Sequence, residues 1–267
     1  MSLGIGVHTF AENTSGLTVT TGGITTAASG SGIYLFCVFD KFTSQVFSSV
    51  TDNKGNSANY VQVGAEIVST DNSVMARVYY CPNATGGVGH TATLTVTGSN
   101  GSLVLYVVEI TTTNGAGITI DQATQNTDNT TPFTSSSITT TVANTMLMGG
   151  MSENSSTSVT HTAGNSFAVI DEETTANAWS GASSWRLVSA TGTYNTSWTV
   201  TGTVSTSVQT IASFSEVTGG AEAVRRPIRP RPRLRKSRFK RSTQGDITLT
   251  VVVNIPSHLY TTMGVGT

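Results

Sequence analysis

Apolar and polar residues alternate with a period of two along most of this 267-residue chain. Alternation of that kind puts successive side chains on opposite faces of an extended segment, so it predicts strands with one buried face. It predicts a first set near 17–21, 32–39, 46–51, 59–63, 74–81, 91–97 and 103–111. A second set is predicted near 137–142, 145–151, 156–161, 166–170, 184–189, 196–201 and 208–217. The strictest alternation is near the end, where Ile247, Leu249, Val251, Val253 and Ile255 share one face. A lone strand cannot stabilise itself, so this one must add to a sheet of its own body or of another subunit. No segment sustains a 3.6-residue apolar period. Gly- and Asn-rich stretches separate the runs, and Asp52-Asn53-Lys54-Gly55 reads as a hairpin turn.

Composition sharpens the picture. Charged residues are only 11% of the chain, against about a quarter in ordinary proteins, and 48 threonines supply β-branched polar positions. The expected fold is all-β: two tandem antiparallel β-sandwiches of jelly-roll or immunoglobulin-like type, then an extended arm and a last strand. The expected boundaries are 1–112, 113–218, 219–244 and 245–267, with the Thr/Asn/Gly-rich stretch 112–134 joining the two sandwiches.

A diverged internal repeat supports the two-sandwich expectation. Val50–Ser57 lines up with Val159–Ser166, and Ala76-Arg77-Val78-Tyr79 with Trp185-Arg186-Leu187-Val188. Leu94–Gly98 then lines up with Trp198–Gly202, and Val107–Ile110 with Phe214–Val217.

Charge is divided sharply along the chain. Residues 1–223 hold four basic against fourteen acidic residues, a formal −10. Residues 224–267 hold ten basic residues against Asp246, a formal +9, so the whole-chain value of −1 conceals a strong dipole. The ten are Arg225, Arg226, Arg229, Arg231, Arg233, Arg235, Lys236, Arg238, Lys240 and Arg241. Pro227, Pro230 and Pro232 block helix and central strand there, and like charges favour extension. On a polyproline-like path the seventeen residues reach about 50 Å, enough to cross a neighbouring subunit. An arm of this charge needs an anionic partner.

Known catalytic patterns are missing from the sequence. There is no phosphate-binding glycine loop, no His-Glu-x-x-His, no Cys pair at zinc spacing and no Gly-x-Ser-x-Gly elbow. No catalytic, cofactor or metal residue is assigned, and an enzyme is the least supported class. Asp171-Glu172-Glu173 reads as a solvated acidic loop, with a cation site as the alternative. Trp179 and Tyr194 are candidates for stacking on glycans, whereas Trp185 and Trp198 align with core positions. Cys37 and Cys81 sit in apolar runs and read as buried free thiols, a single bridge between them remaining open. The longest apolar run, Leu103–Val108, is strand-sized, and neither a secretory signal nor a membrane partner is expected.

A Gly-Asn turn followed by VMARVYYC (74–81), TATLTVTGS (91–99) and SLVLYVVEI (102–110) resembles a β-sandwich module common in tailed-phage virion proteins. Tandem copies resemble capsid decoration (cement) proteins, and also some tail and baseplate adhesins. The resemblance covers about 1–217 and excludes the arm. It implies a non-enzymatic protein of the particle surface, assembled in the host cytoplasm, that docks between capsid subunits and reinforces the shell. In that setting the arm is expected to grip an acidic neighbour or another copy of the chain. Two alternatives stand beside this expectation: a glycan-binding adhesin, and an arm that contacts packaged nucleic acid.

Overall fold

The computed structural model describes residues 3–41, 44–155, 158–174, 178–204 and 206–218. The basic arm and the strand expected at 247–255 lie outside them. The first half contributes β1 (Leu3–Gly16), β2 (Thr18–Thr20), β3 (Ser31–Asp40), β4 (Val46–Asp52), β5 (Val61–Val68), β6 (Val74–Ala84), β7 (Ala92–Thr97) and β8 (Gly101–Thr112), with one 3-10 turn at Ser57–Asn59. The second contributes β9 (Ile118–Asp128), β10 (Phe133–Thr134), β11 (Ile138–Thr139), β12 (Thr145–Ser155), β13 (Thr160–Ala163), β14 (Ala168–Glu173), β15 (Ala178–Val188), β16 (Thr193–Tyr194), β17 (Ser197–Thr201) and β18 (Ser207–Glu216). The all-β expectation holds, and every strand pair formed is antiparallel.

The strands form two five-stranded sheets, β1-β8-β3-β6-β5 and β14-β15-β12-β18-β9, with smaller sheets β2-β7-β4, β10-β17-β13 and β11-β16. All ten residues of β3 are buried. Its odd positions, Ile33, Leu35, Cys37 and Phe39, pack with Leu94 and Val96 of the small sheet β2-β7-β4. Its even positions, Tyr34, Phe36 and Val38, pack with Met146, Met148, Val208 and Phe214 of the second half. The central strands therefore have both faces covered, which is why their apolar runs are continuous rather than alternating. The result is four layers: a small sheet, two large sheets face to face, and the remaining small sheets on the far side. Tyr34 meets Phe214 edge-on with ring centroids 6.1 Å apart, and Phe36 stacks on Tyr106 at 5.7 Å.

The two large sheets have the same order when β1, β8, β3, β6 and β5 are matched to β9, β18, β12, β15 and β14. Contacts between them are reciprocal under this matching: β8 lies on β15 as β18 lies on β6, and β3 lies on β15 as β12 lies on β6. Likewise β1 lies beside β14, and β5 beside β9. That is the arrangement of an isologous dimer, here formed within one chain.

The halves have diverged in their outer cores. Cys37 faces Arg77 and Leu105, as Leu147 faces Arg186 and Ser213. Two residues on, Phe39 faces Met75 and Leu103, whereas Gly149 faces Ser184 and Ile211. Two large apolar side chains are thus replaced by Gly and Ser. Thr196 lies against Gly149, and Trp198 and Phe133 pack around Met151, the next residue of β12 on that face.

Several local expectations need correction. The joining stretch 112–134 contains β9, and residues 3–16, where no strand is expected from the pattern, form β1. The Asp52–Gly55 turn is not a hairpin, because β4 belongs to a small sheet and β5 to a large one. Gly55 supplies the positive φ of +87° there, and the Asp52 carboxylate supplies the acceptors. Val50 faces Leu94 but Trp198 faces Ala163, so the repeat matches Val50/Val159 and Leu94/Trp198 are four residues out of mutual register.

Candidate functional site

Among the described residues, two groups of acids and histidines stand out. The first surrounds Asp52, at the point where the chain leaves the small sheet. Its Oδ1 accepts the amides of Lys54 (3.0 Å) and Asn56 (2.9 Å). Its Oδ2 accepts Asn56 Nδ2 (2.7 Å), the Tyr60 hydroxyl (3.0 Å) and His90 Nε2 (3.3 Å). Burial alone raises this carboxyl, but the bonds from His90, Asn56 and Lys54 outweigh it and hold the group well below the usual carboxylate range. Since His90 Nε2 donates to Asp52, its Nδ1 accepts from the Thr26 hydroxyl at 3.0 Å.

The order carboxylate–imidazole–hydroxyl is that of a hydrolytic relay. Here its setting is structural. Thr26 and His90 are buried, and Thr26 Oγ1 already accepts the Gly87 amide at 3.1 Å. A nucleophile needs its oxygen open to a carbonyl carbon, and this one is enclosed. The network pins loop 85–90 against the β4 turn, helped by the exchange between Asn56 and Thr85.

The second cluster lies where β1 and β14, free edges of the two large sheets, run side by side. His8 Nδ1 donates to Asp171 Oδ2 at 2.9 Å. Glu12 is raised by burial and then by the charge of, and a hydrogen bond with, Glu173, so two carboxyls share this edge. Just inside, His161 lies between two acids: Nε2 reaches Glu153 at 3.1 Å and Nδ1 reaches Glu172 at 3.4 Å. Both ring nitrogens face carboxylate oxygens, an arrangement that favours the doubly protonated ring. Ser180 Oγ donates to Glu153 Oε1 at 2.6 Å. Burial pulls the His161 pKa down, but the bonds and charges of Glu153 and Glu172 dominate and raise it.

A group whose pKa is raised on folding stabilises fully below its unfolded value and loses that contribution as pH climbs through the folded one. Thermal stability is therefore expected to fall as pH rises from about 6.5, the ordinary imidazole value, into the alkaline range. A His161→Gln variant is expected to flatten that alkaline limb in melting experiments at several pH values. An unchanged limb excludes His161 as its source.

The sequence-derived candidates fall out as follows. Trp179 is 5% exposed and belongs to the central core, so it offers no face to a sugar. Tyr194 is half-buried, with the Arg186 guanidinium 5.3 Å over its ring and its hydroxyl bonded to the Ala190 carbonyl. Trp198 is fully buried and Trp185 packs against the central core. The tryptophans form no exposed platform. Asp171, Glu172 and Glu173 are not a solvated loop; they are part of β14 and its contacts. Cys37 and Cys81 are buried free thiols. Burial raises both, Cys81 to about 11, so little thiolate exists near neutrality.

Sequence reasoning missed Glu12, His8, Glu153 and Glu109. Acids inside apolar strand runs were the available signal, because a buried carboxylate needs partners. Glu109, at the end of SLVLYVVEI, accepts the Ala27 amide at 2.7 Å and the Val7 amide at 3.3 Å.

Among the described residues, no group of three or more His, Cys, Asp or Glu could hold a metal ion. A surface hollow of 390 Å³ is lined by Ala58, Asn59, Val61, Pro82 and Asn83, none of them charged. No described helix is long and apolar enough to cross a membrane. No protein family, curated protein or solved structure matches the chain.

Proposed function

We propose that this chain is a non-enzymatic structural protein of a virus particle, which docks on the shell and reinforces it. The carrying observation is the division of charge, a formal −10 over residues 1–223 against +9 over 224–267, in a protein whose remainder is stacked sheet. A cationic segment attached to a stiff acidic body is suited to gripping a neighbour's acidic surface. Arginine suits the task because it stays charged, forks onto carboxylates and is weakly hydrated. Single exposed ion pairs contribute only about 0–1 kcal/mol, so grip comes from many contacts together with the alternating apolar residues of 247–255. Buried tryptophans leave the glycan-binding alternative without its observation. Nucleic-acid contact by the arm remains the competing use of the same charge, opposed by the acidic body.

The test is truncation. A chain ending at Thr218 retains every described strand and is expected to fold but not to decorate shells of the cognate particle in a co-sedimentation assay. Normal decoration by the truncated chain rejects the arm's role. Salt-sensitive retention of DNA by the assembled full chain favours nucleic-acid binding.

A further inference from the structure

We propose that the paired free edges of β1 and β14 are the docking surface for the C-terminal segment of a second copy of this chain. In that complex Ile247–Ile255 adds to β1 and the preceding basic residues lie against Glu12 and Asp171. This inference rests on the structural reading above and names the surface that reading leaves open.

Four described edge strands bound the large sheets, and they are not alike. On one side β5 and β9 are linked through a side chain, as β1 and β14 are linked on the other by His8 and Asp171. Gln125 Nε2 of β9 donates to the Ala65 carbonyl of β5 at 2.7 Å. Gly64 makes room for it: its φ is +69°, and a Cβ there would lie 2.2 Å from Gln125 Oε1. The side chains of β9 also hold the segment 134–141, through Asn126 Nδ2 to the Thr134 carbonyl, the Ser136 amide to Asn126 Oδ1, and the Thr141 amide to Asp121. On the other side β1 spans fourteen residues and, among the described strands, pairs only with β8, with register shifts between Ile5 and His8 and between Asn13 and Gly16 that leave His8–Asn13 as its regular stretch. Its far end is fastened by Asn13 to the Thr18 carbonyl and by Gln45 to the Gly16 carbonyl. Val7 and Val169, one on each free edge, are 36% and 37% exposed. A long free edge with exposed valines is a template for strand addition.

Charge selects the occupant. The gap between β1 and β14 carries Glu12, Asp171 and Glu173, with His8 as the counter-group bonded to Asp171. Glu12 is the exposed carboxyl of this seam and the one an incoming guanidinium can reach. The chain's own segment supplies ten cations and then an alternating apolar strand, in the order a neighbouring edge of this kind requires.

Length permits a second copy. The described chain leaves beside the Leu3 end of β1, since Leu3 faces Thr112 and Val217 bonds to the Gly117 carbonyl. Only a few residues are needed to turn back onto its own β1. The connector 219–246 reaches about 85 Å when extended, and its like charges oppose folding back.

Cross-linking the full chain tests this. The variant Val7→Cys/Thr250→Cys, oxidised mildly, is expected to give disulfide-linked dimers and higher species on non-reducing gels. Val251→Pro in the otherwise natural full chain is expected to shift sedimentation from oligomer to monomer. It leaves the described fold untouched. A bond formed only within single chains rejects the second copy. An oligomer that survives Val251→Pro, with no disulfide between positions 7 and 250 in the double variant, rejects the edge. A normal cross-link in a protein that fails to decorate shells sinks the functional proposal and leaves this one standing.

Discussion

A fragment ending at Gly115 is expected not to stay monomeric. Cut there, the first half keeps both of its sheets but loses the cover of its inner face. Tyr34, Phe36, Val38, Val104, Tyr106, Val108 and Ile110 then face water, having been buried against the second half. The three rings alone bury about 150–250 Å² each, so on the order of 10 kcal/mol of apolar burial is forfeited. The reciprocal geometry of the two large sheets offers the fragment one remedy, which is to pair with itself through that face. Sedimentation and a fluorescent apolar dye distinguish the outcomes: self-paired dimers or aggregates are expected. A stable monomeric fragment with no dye binding sinks the shared-core account. In the intact chain the same core predicts one cooperative unfolding transition for both halves. Phe214→Ala is expected to lower its free energy by about 3–5 kcal/mol, since the ring fills space against both Tyr34 and Tyr80.

Replacing Glu153 by Leu is expected to cost about 3–5 kcal/mol, although its side chain touches no solvent. Glu153 and His161 are both fully buried at the side chain, and the carboxylate also accepts Ser180. Leucine removes the counter-charge and leaves an imidazolium held only by the partly exposed Glu172. The double variant Glu153→Leu/His161→Leu is expected to regain most of the loss, because neither buried charge then remains. Urea denaturation of the four proteins measures the coupling. Equal and additive losses from the two single variants would falsify the pairing.

The class of fold was legible in the sequence, and the reason is local. Strands such as β3 and β8 lie between two apolar layers, so their residues announce themselves. The edge strands β1 and β9 do not, although the edges β5 and β14 overlap the runs expected at 59–63 and 166–170. β9 reads ITIDQATQNTD, bonds to one neighbour along one side, and is half-buried along most of its length. β1 is its counterpart in the other half and is equally silent. Both escape the pattern because a strand that borrows its stability from one partner needs little hydrophobic alternation of its own. The face-to-face junction is hidden for a different reason: continuous apolar runs say that both faces are covered, not by what. The His8–Asp171 and Asp52–His90 contacts are illegible because their members are distant in sequence, whereas the His161 centre gathers acids 8 and 11 positions away that no pattern marks as partners. His8 and Asp171 are 163 positions apart.

The in-chain pairing of the halves has a consequence for life at low concentration. Two separate half-length proteins meeting through the same faces would come apart on dilution, since their encounter is bimolecular. Here the halves are joined by the short stretch between Thr112 and Ile118, which holds each at millimolar or higher effective concentration around the other. Infinite dilution does not weaken that encounter. A protein built this way remains whole when a single copy is carried out of a crowded cell into open water.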